Sequence, residues 1–341
     1  MPTAGIQLFP PPTRLLIGRI MVESSRVSLP SAISRPALTR ELGQHIAAPI
    51  GVARHRVVWF YAITVVVYHL IALLAVLPVF FSWTGVWLAV VGTYLFGGLG
   101  INLCYHRMLT HRGLVCPKWL EYSLAVIGVC CMQDTPARWV AVHRRHHEHS
   151  DQREDPHSPL VNFYWGHVGW MLLENRDLVR LRIYDRYAKD ILRDPFYRRL
   201  ERTFLYPAIL LGSWVAFFVA GFLTSRMSGE SLSSAATFGA SLLVWGVFVR
   251  TVAVWHVTWS VNSLAHLWGY RNYEIDDDSR NNWFVALITS GEGWHNNHHA
   301  TPRVAHHGHK WWELDLIFGL VQVLEKLGLA QNVVRLERKP R

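Results

Sequence analysis

Three groups of closely spaced histidines occur in this chain of 341 residues. Within 142–155, which reads VHRRHHEHSDQRED, the first three follow the spacing i, i+3, i+4, and the segment HNNHH near the C-terminus repeats that spacing. At about 100° per residue, such spacing places three imidazoles on one face of a helix. A third group, HRMLTH, adds two more. The eight residues are His106, His111, His143, His146, His147, His295, His298 and His299.

This clustering predicts a metal centre with more than one ion. Imidazole is the commonest metal ligand, and nitrogen donors without cysteine suit iron, copper, nickel or zinc rather than calcium or magnesium. A single histidine is usually a surface or core residue, but eight in three groups exceed the four ligands of one tetrahedral site. Because His106 and His111 would be about 140° apart on an α-helix, we expect them to diverge and to serve different metals.

The composition indicates an integral membrane protein. Apolar residues make up 51% of the chain and are concentrated in long runs. The formal net charge of +10 would also suit a nucleic-acid binder, but the basic residues flank the apolar runs, so we expect no nucleic-acid partner. The cysteines are expected to be reduced thiols packed as small apolar residues; they are Cys104, Cys116, Cys130 and Cys131.

The apolar runs predict an all-α integral membrane protein with four transmembrane helices, at about 57–81, 86–104, 204–223 and 235–261. These spans belong to one membrane domain, 46–330. The polar section between the second and third spans carries sixteen Lys or Arg and twelve Asp or Glu, so the positive-inside rule predicts that this face is cytoplasmic. The polar segments 105–203 and 262–330, which are the catalytic parts, would both lie there. The short, nearly uncharged loops between the paired spans would lie on the opposite face. All histidine groups would then come to one side of the membrane.

The two ends of the chain carry separate predictions. Residues 1–45 mix proline, serine and arginine without a period, so we expect a mobile extension, with no convincing secretory signal and with Met21 as an alternative start. Helical periodicity over 311–328 predicts a docked amphipathic helix. The basic tail, 331–341, suits an anionic membrane surface.

Five polar residues outside the main groups also need an interpretation. His306, His307 and His309 are loosely spaced in a polar setting, so we expect a solvated loop that binds no metal. His69 falls within the first predicted span, where a hydrogen bond to a neighbouring helix is the expected role. Arg250 falls within the fourth span and is expected to face the bundle or to extend towards the membrane surface.

The order HRMLTH, HRRHH, NSLAH and HNNHH resembles that of membrane fatty-acid desaturases of the stearoyl-CoA desaturase type. The likeness runs from about Ile101 into the C-terminal region and includes EDPHSP, FYWGHVGWML and SGEGWHNNHH. It implies four transmembrane helices with a cytoplasmic, histidine-rich helical cap that holds a di-iron centre. It also implies a ninth ligand, His266, and a role for Asn262, which would reach one iron through a water molecule.

The resemblance implies further residue roles. One iron would be held by His106, His147, His266, His295 and His299, and the other by His111, His143, His146 and His298. Apart from the resemblance, we expect the nearby carboxylate of Asp155 to orient an imidazole from outside the ligand set, and Glu148 to form a surface salt bridge. Trp139 and Thr258 would line a bent acyl tunnel. The stretch QDTPARW departs from the family, in which a glycine usually precedes that proline, so we expect different contacts at the tunnel mouth.

The implied activity removes two hydrogens from a saturated acyl chain, using O2 and two electrons, and forms a cis double bond between carbons 9 and 10. The resemblance does not decide between CoA and a membrane lipid as the acyl carrier, because HRMLTHRG and GEGWHNNHH also resemble cyanobacterial acyl-lipid desaturases. No dinucleotide fingerprint is visible, so the electrons would come from a separate ferredoxin, rubredoxin or cytochrome.

Two alternatives share some of these features. A related membrane hydroxylase or ketolase would carry the same histidine groups and differ in its product. A membrane metal transporter or sensor would place its ligands within the spans, whereas the histidine groups lie beyond the predicted span ends.

Overall fold

The computed structural model describes residues 26–27 and 43–337. Within this part, four helices are long and apolar enough to cross a membrane: Trp59–Val76, Trp83–Thr110, Leu205–Met227 and Leu232–Leu267. Large apolar side chains on their outer faces are exposed, including Leu73, Trp87 and Leu211. Extensive apolar surface of this kind suits lipid rather than water. The predicted fold class, helical with four candidate spans and a histidine-rich cap, is confirmed, and the cytoplasmic orientation stays a prediction.

The helices are numbered in chain order. They are α1 (Trp59–Leu73), α2 (Trp83–Gly92), α3 (Lys118–Val129), α4 (Pro136–His149), α5 (Trp170–Leu172), α6 (Arg180–Tyr187), α7 (Lys189–Arg193), α8 (Pro195–Arg202), α9 (Leu205–Met227), α10 (Leu232–Leu243), α11 (Arg250–Leu267), α12 (Trp283–Thr289), α13 (His295–Ala300) and α14 (Leu316–Lys326). Three segments are π-helical: Thr93–Thr110 follows α2, Trp165–Gly169 precedes α5, and Val244–Val249 lies between α10 and α11. Two further segments, Leu74–Val76 and Arg176–Leu178, are 3₁₀ turns. Short strands form two pairs among the described residues: β1 (Arg26–Val27) is parallel to β4 (Arg335–Leu336), and β2 (Val52–Val57) is antiparallel to β3 (Leu173–Asn175).

Two of the spans extend further into the cap than predicted. The second was expected to end at 104 and the fourth at 261, but they continue to Thr110 and Leu267. These extra turns carry His106 and His266 into the cap. The first span is shorter than predicted because Leu77, which precedes a proline, adopts an extended backbone with ψ 133°.

The second span changes from α-helix to π-helix after Gly92. In a π-helix each N–H bonds to the carbonyl five residues earlier, which brings residues five apart onto one face. At the end of this segment, the amide of His111 donates to the carbonyl of His106 at 3.1 Å. Most π-helices are single turns, and they are frequent at functional sites. Here the conformation decides which way two histidines point.

Two turns join the paired spans at the end of the bundle away from the histidines. Ser82 caps α2 by accepting a hydrogen bond from the Gly85 amide at 3.0 Å. Ser231 caps α10 in the same way, accepting from the Ser234 amide at 3.1 Å. Gly229 has φ +84°, a left-handed conformation that glycine adopts at little cost.

Helix α4 is fixed against the end of the second span by Arg144. The helix starts where Thr135 accepts a hydrogen bond from the Arg138 amide at 3.3 Å, followed by a proline at the first helical position. Arg144 donates to the carbonyls of Leu109 and Thr110 at 2.8 and 3.0 Å. A cation is favoured there because the carbonyl end of a helix carries partial negative charge.

The C-terminal helix is shorter than the predicted range 311–328. It begins at Leu316 because the side chain of Asp315 accepts from the Phe318 amide at 2.9 Å and caps it. The two tryptophans of 311–312 therefore lie in a turn before the helix.

The ends of the chain are described only in part. The predicted basic tail, 331–341, is described as far as Glu337, and Arg335 pairs with Glu325. The predicted N-terminal extension, 1–45, lies outside the described residues except for 26–27 and 43–45, and so does the alternative start at Met21.

We expect the turns near Val79 and Ser228 to face the side of the membrane opposite the cap. The four native cysteines are free and buried, as predicted, so they should not react with a polar thiol reagent. Val79, Ser228 and the cap residue Arg153 are exposed. An impermeant reagent outside right-side-out vesicles should label Val79→Cys and Ser228→Cys, and it should label Arg153→Cys only after permeabilisation. Labelling of all three from one side would contradict the four-span topology.

Candidate metal centre

Nine histidines meet in the cap in two adjoining groups. Within each group, one ring nitrogen from every member lies within 4.8 Å of all the others. The five-histidine cluster contains His106, His111, His143, His147 and His298, and the four-histidine cluster contains His146, His266, His295 and His299. The clusters touch, since the ring centres of His147 and His299 are 4.4 Å apart. The structure therefore brings together all nine residues that sequence analysis put forward as ligands.

Each helix with the spacing i, i+3, i+4 serves both clusters. On α4 the i, i+4 pair, His143 and His147, belongs to the five-histidine cluster, and His146 belongs to the other. On α13 the assignment is reversed: the i, i+4 pair, His295 and His299, belongs to the four-histidine cluster, and His298 belongs to the five-histidine cluster. Positions i and i+4 differ by about 40° around an α-helix, whereas i+3 and i+4 differ by about 100°. Both α4 and α13 therefore contribute candidate ligands to each cluster.

The structure divides the ligands differently from the prediction at three residues. His106 was expected with the group around His266 and apart from His111. Because the second span ends as a π-helix, His106 and His111 instead share one face, with ring centres 4.8 Å apart. His146 and His147 each lie in the cluster predicted for the other. His147, at i+4, is on the same side of the helix as His143, and His146, at i+3, points towards the second cluster.

Carboxylates orient four of the nine imidazoles through their Nδ1 atoms. The N···O distances are 2.6 Å for His106 and Glu292, 2.9 Å for His146 and Asp155, 2.7 Å for His266 and Asp151, and 2.8 Å for His299 and Asp277. An ionised carboxylate only accepts hydrogen bonds, so Nδ1 carries the proton and Nε2 keeps a lone pair for a metal.

Of these carboxylates, only Asp155 was predicted from the sequence. Glu148 forms a surface salt bridge, as expected, and its partner is Arg186. A signal for two others was present. Asp151 follows the HRRHH group by four residues, and Glu292 precedes HNNHH by three, so each is close enough to turn back on a ligand.

The distances between the ring nitrogens that point into the clusters suit a transition-metal ion. The Nε2 atoms of His106 and His298 are 3.1 Å apart, and three further Nε2 pairs are separated by 3.0 to 3.1 Å. Imidazole nitrogens bound to one ion at about 2.0–2.1 Å are separated by roughly 3.0–3.4 Å. Nε2 of His111 and Nε2 of His299 are buried without a hydrogen-bond partner among the described residues. Such unpaired atoms are rare in folded proteins, and an ion would satisfy them.

The charge states at neutral pH also suit metal binding. Burial, reinforced by the neighbouring imidazoles, holds the pKa well below the usual histidine range for His111, His143, His147, His295 and His298. Burial would raise the pKa of Glu292, but the guanidinium of Arg107 and the imidazoles of His307 and His106 together outweigh it and hold that pKa well below the usual range. Neutral imidazoles can donate a lone pair to a metal, and an ionised carboxylate can accept their protons.

A cavity of about 530 Å³ lies beside the five-histidine cluster and is lined mainly by apolar and aromatic side chains. His143, Asn262, Trp139 and Thr258 all border it. The Trp139 ring stacks on His143 with ring centres 4.8 Å apart. Gln133 joins α4 to α11, because it accepts from Trp139 Nε1 at 3.3 Å and donates to Thr258 Oγ1 at 2.9 Å. A narrower gap between the second and fourth spans also borders Thr258.

Two polar residues within the spans behave as predicted. His69 links the first span to the fourth, with its Nε2 3.0 Å from that of His256, and His256 continues to His167 at 3.0 Å. Arg250 is fully buried, and its guanidinium lies over the Phe96 ring, 4.0 Å from the ring centre. None of these residues belongs to either histidine cluster.

The prediction of a solvated loop is wrong for His307. Its side chain is 1% exposed, and its ring centre is 4.5 Å from that of His298. His306 and His309, in contrast, are partly exposed. The loop between α13 and α14 folds back onto the five-histidine cluster, which loose spacing in a polar sequence did not reveal.

A helical membrane protein whose buried histidine clusters could hold metal beside an apolar cavity has the architecture of a membrane-bound metalloenzyme. The chain belongs to the fatty acid desaturase family, which it matches over residues 81–333. The predicted family is therefore confirmed.

Several curated relatives align with most of the chain. It is 41% identical over 277 residues to an sn-2 palmitoyl-lipid 9-desaturase of Nostoc sp. (strain 36), covering 81% of this chain and 90% of the relative. It is 42% identical over 271 residues to an sn-1 stearoyl-lipid 9-desaturase of Anabaena variabilis, covering 80% and 92%. An acyl-CoA C20 Delta5-desaturase of Anemone leveillei is 38% identical over 265 residues, covering 78% of each.

The chain is thus an oxidoreductase, a fatty acyl desaturase that acts on acyl chains, and its buried histidine clusters are compatible with a metal centre. The alternative of a metal transporter or sensor is wrong.

We expect Asp151→Asn to weaken metal binding at the four-histidine cluster by about 10- to 100-fold, because a neutral amide orients His266 less firmly than a carboxylate does. The fold should persist, since Asp151 has φ +58° and asparagine tolerates that conformation. Metal titration of the purified protein, with a thermal melt, measures both. Asp185→Asn, at a side chain that is 80% exposed, is the matched control. Equal affinity in the Asp151 variant and the parent would contradict the assignment.

Proposed function

We propose that the nine histidines hold two iron ions and that Asn262 reaches one of them through a water molecule. The support is the nitrogen-rich donor set in two adjoining clusters, which suits iron among other first-row metals. Zinc fits such donors but has no redox chemistry, so it cannot serve a desaturase. Asn262 borders the cavity beside the five-histidine cluster, where a water molecule could lie between the two.

The proposed reaction takes one hydrogen from each of two adjacent methylene groups and leaves a carbon–carbon double bond. One O2 becomes two water molecules, and the balance requires two electrons from a carrier and two protons from water. When bound, the irons would supply the oxygen-derived oxidant that an unactivated C–H bond requires. The protein's own residues position the acyl chain and exclude water.

The observation that carries this proposal is the contact between the cavity and a candidate ligand. His143 borders the cavity directly, and Trp139 covers one face of its imidazole. A chain in the cavity would therefore pass beside the five-histidine cluster. Trp139, Gln133 and Thr258 form a hydrogen-bonded bridge that would hold the chain bent at that point. Fixing the reacting carbon within a few ångströms of the oxidant is what selects one bond over its neighbours.

We propose carbons 9 and 10 as the site of desaturation and a membrane glycerolipid as the acyl carrier. The names of the Nostoc and Anabaena relatives, both lipid 9-desaturases, support the position and the carrier. The mouth of the cavity adds support, because Phe60, on the first apolar helix, borders the cavity and is 67% exposed. A cavity that reaches the exposed side of an apolar helix suits a chain that enters from the bilayer.

We further propose that the cap faces the cytoplasm and receives electrons from a separate ferredoxin, rubredoxin or cytochrome. Residues 176–202 contain nine Lys or Arg and five Asp or Glu. Positive charge next to a span is typical of the cytoplasmic side. It would also attract a carrier protein with an acidic surface.

The experiment is to supply membranes that contain the protein with stearoyl-glycerolipid or stearoyl-CoA, and to map double bonds by gas chromatography–mass spectrometry. The proposal expects a bond at carbon 9 in the glycerolipid arm and none with His143→Ala. Product only from the CoA arm would overturn the carrier assignment. A hydroxylated product would favour the hydroxylase alternative, and no product in either arm would overturn the function.

We expect Trp139→Ala to spread the product over several double-bond positions while iron content stays near the parent value, because the chain loses the wall that fixes its depth. Thr258→Trp should depress turnover severely by filling the bend. Product mapping, an iron assay and a thermal melt separate these effects from a loss of stability. A folded, iron-loaded Trp139→Ala protein that makes only the parent's isomer would refute the tunnel role.

A further inference from the structure

We propose that His307 is a positioning residue for the five-histidine cluster, acting through Glu292 on His106. This inference rests on the proposed metal centre, and it assigns a function to an imidazole outside the nine ligands. It also reverses the expectation that the histidines after HNNHH are unrelated to metal binding.

The imidazole of His307 is packed into the cluster. Its side chain is 1% exposed, and its ring centre lies 4.5 Å from that of His298 and 5.5 Å from that of His106. Its Nδ1 is 3.3 Å from Oε2 of Glu292, the same oxygen that accepts from His106 Nδ1 at 2.6 Å. Two imidazoles therefore converge on one carboxylate oxygen.

The other oxygen of Glu292 is already fixed. Arg107 donates to Oε1 from Nε at 3.0 Å and from Nη2 at 2.7 Å. With Oε1 held by the guanidinium, the angle of the carboxylate depends on what surrounds Oε2. His307 occupies that space, so it limits how far Glu292 and the His106 ring can rotate together.

The backbone of His307 is also anchored on both sides. Its amide donates to Asp315 Oδ2 at 2.7 Å, and Asp315 accepts from Arg107 Nη1 at 2.8 Å through the same oxygen. Its carbonyl accepts from Asn297 Nδ2 at 2.8 Å, on the helix that carries three of the ligands. A surface histidine has no reason to be held this way. The loop is built to keep the His307 ring against the cluster.

The same loop provides a matched control. His309, two residues further on, is directed elsewhere: its Nδ1 lies 2.8 Å from the Tyr273 hydroxyl oxygen, at hydrogen-bond distance. It contacts none of the nine clustered histidines within the described structure. A variant at His309 therefore reports what any histidine loss from this loop does to folding.

Removing a partner from outside a ligand set typically costs 10- to 100-fold in metal affinity. We expect that loss at one of two sites in His307→Ala, because only the five-histidine cluster contains His106. His307→Gln should recover part of it, since its side chain refills part of the space beside Glu292 Oε2 and carries an amide donor. His309→Ala should bind both ions as the parent does.

The experiment is titration of the purified, metal-depleted full chain with Co²⁺ and with Fe²⁺, following ion stoichiometry and the cobalt visible spectrum, alongside a thermal melt. A two-ion parent, a His307→Ala protein with one weakened site, and partial rescue by His307→Gln would support the inference. Unchanged binding in His307→Ala, or equal weakening in His309→Ala, would overturn the role of His307 and leave the proposed metal centre standing. A parent that binds fewer than two ions would overturn the proposed metal centre and this inference with it.

Discussion

The candidate centre depends on one kind of contact, an imidazole N–H that donates to a carboxylate inside the cap. Each such bond fixes which ring nitrogen faces the cluster, and without it a histidine side chain is free to present either one. Burying a carboxylate is unfavourable unless donors surround it. Asp151 meets that condition, accepting from His266, from the Ser158 hydroxyl at 2.6 Å and from the Asp278 amide at 2.8 Å. Burial would raise its pKa, but His266 outweighs this and lowers the pKa to about 2.

These carboxylates also decide how the cap folds. Asp151 follows α4 directly, with φ +58°, and binds a histidine on the fourth span and an amide in the loop beyond it. One side chain therefore connects three segments that are far apart in sequence. Glu292 does the same for the second span, through Arg107 and His106. The contacts that orient the ligands therefore also pack the cap, which explains why a loop residue outside the ligand set, such as His307, can lie against the cluster.

Periodicity and spacing predicted the helical class, the four apolar helices and eight of the nine histidines that the structure brings together, and the family resemblance implied the ninth, His266. They failed where one segment leaves α-helical geometry: the angle between His106 and His111 was calculated for an α-helix, and the π-helix changes it. Contacts made by loop residues could not be predicted from spacing either. Asp277 and His307 lie in loops without a period, and only the folding of those loops onto α13 shows what they contact. Tertiary contacts of that kind leave no local signature in a sequence.

The central claim is that two irons lie in the two histidine clusters. An anomalous difference map of a crystal of the purified protein, measured at the iron absorption edge, tests it most directly. The account predicts two peaks per chain, one within bonding distance of the inward nitrogens of His106 and His298, and the other near those of His266 and His295. A single peak, peaks outside the clusters, or an anomalous edge belonging to another metal would contradict it.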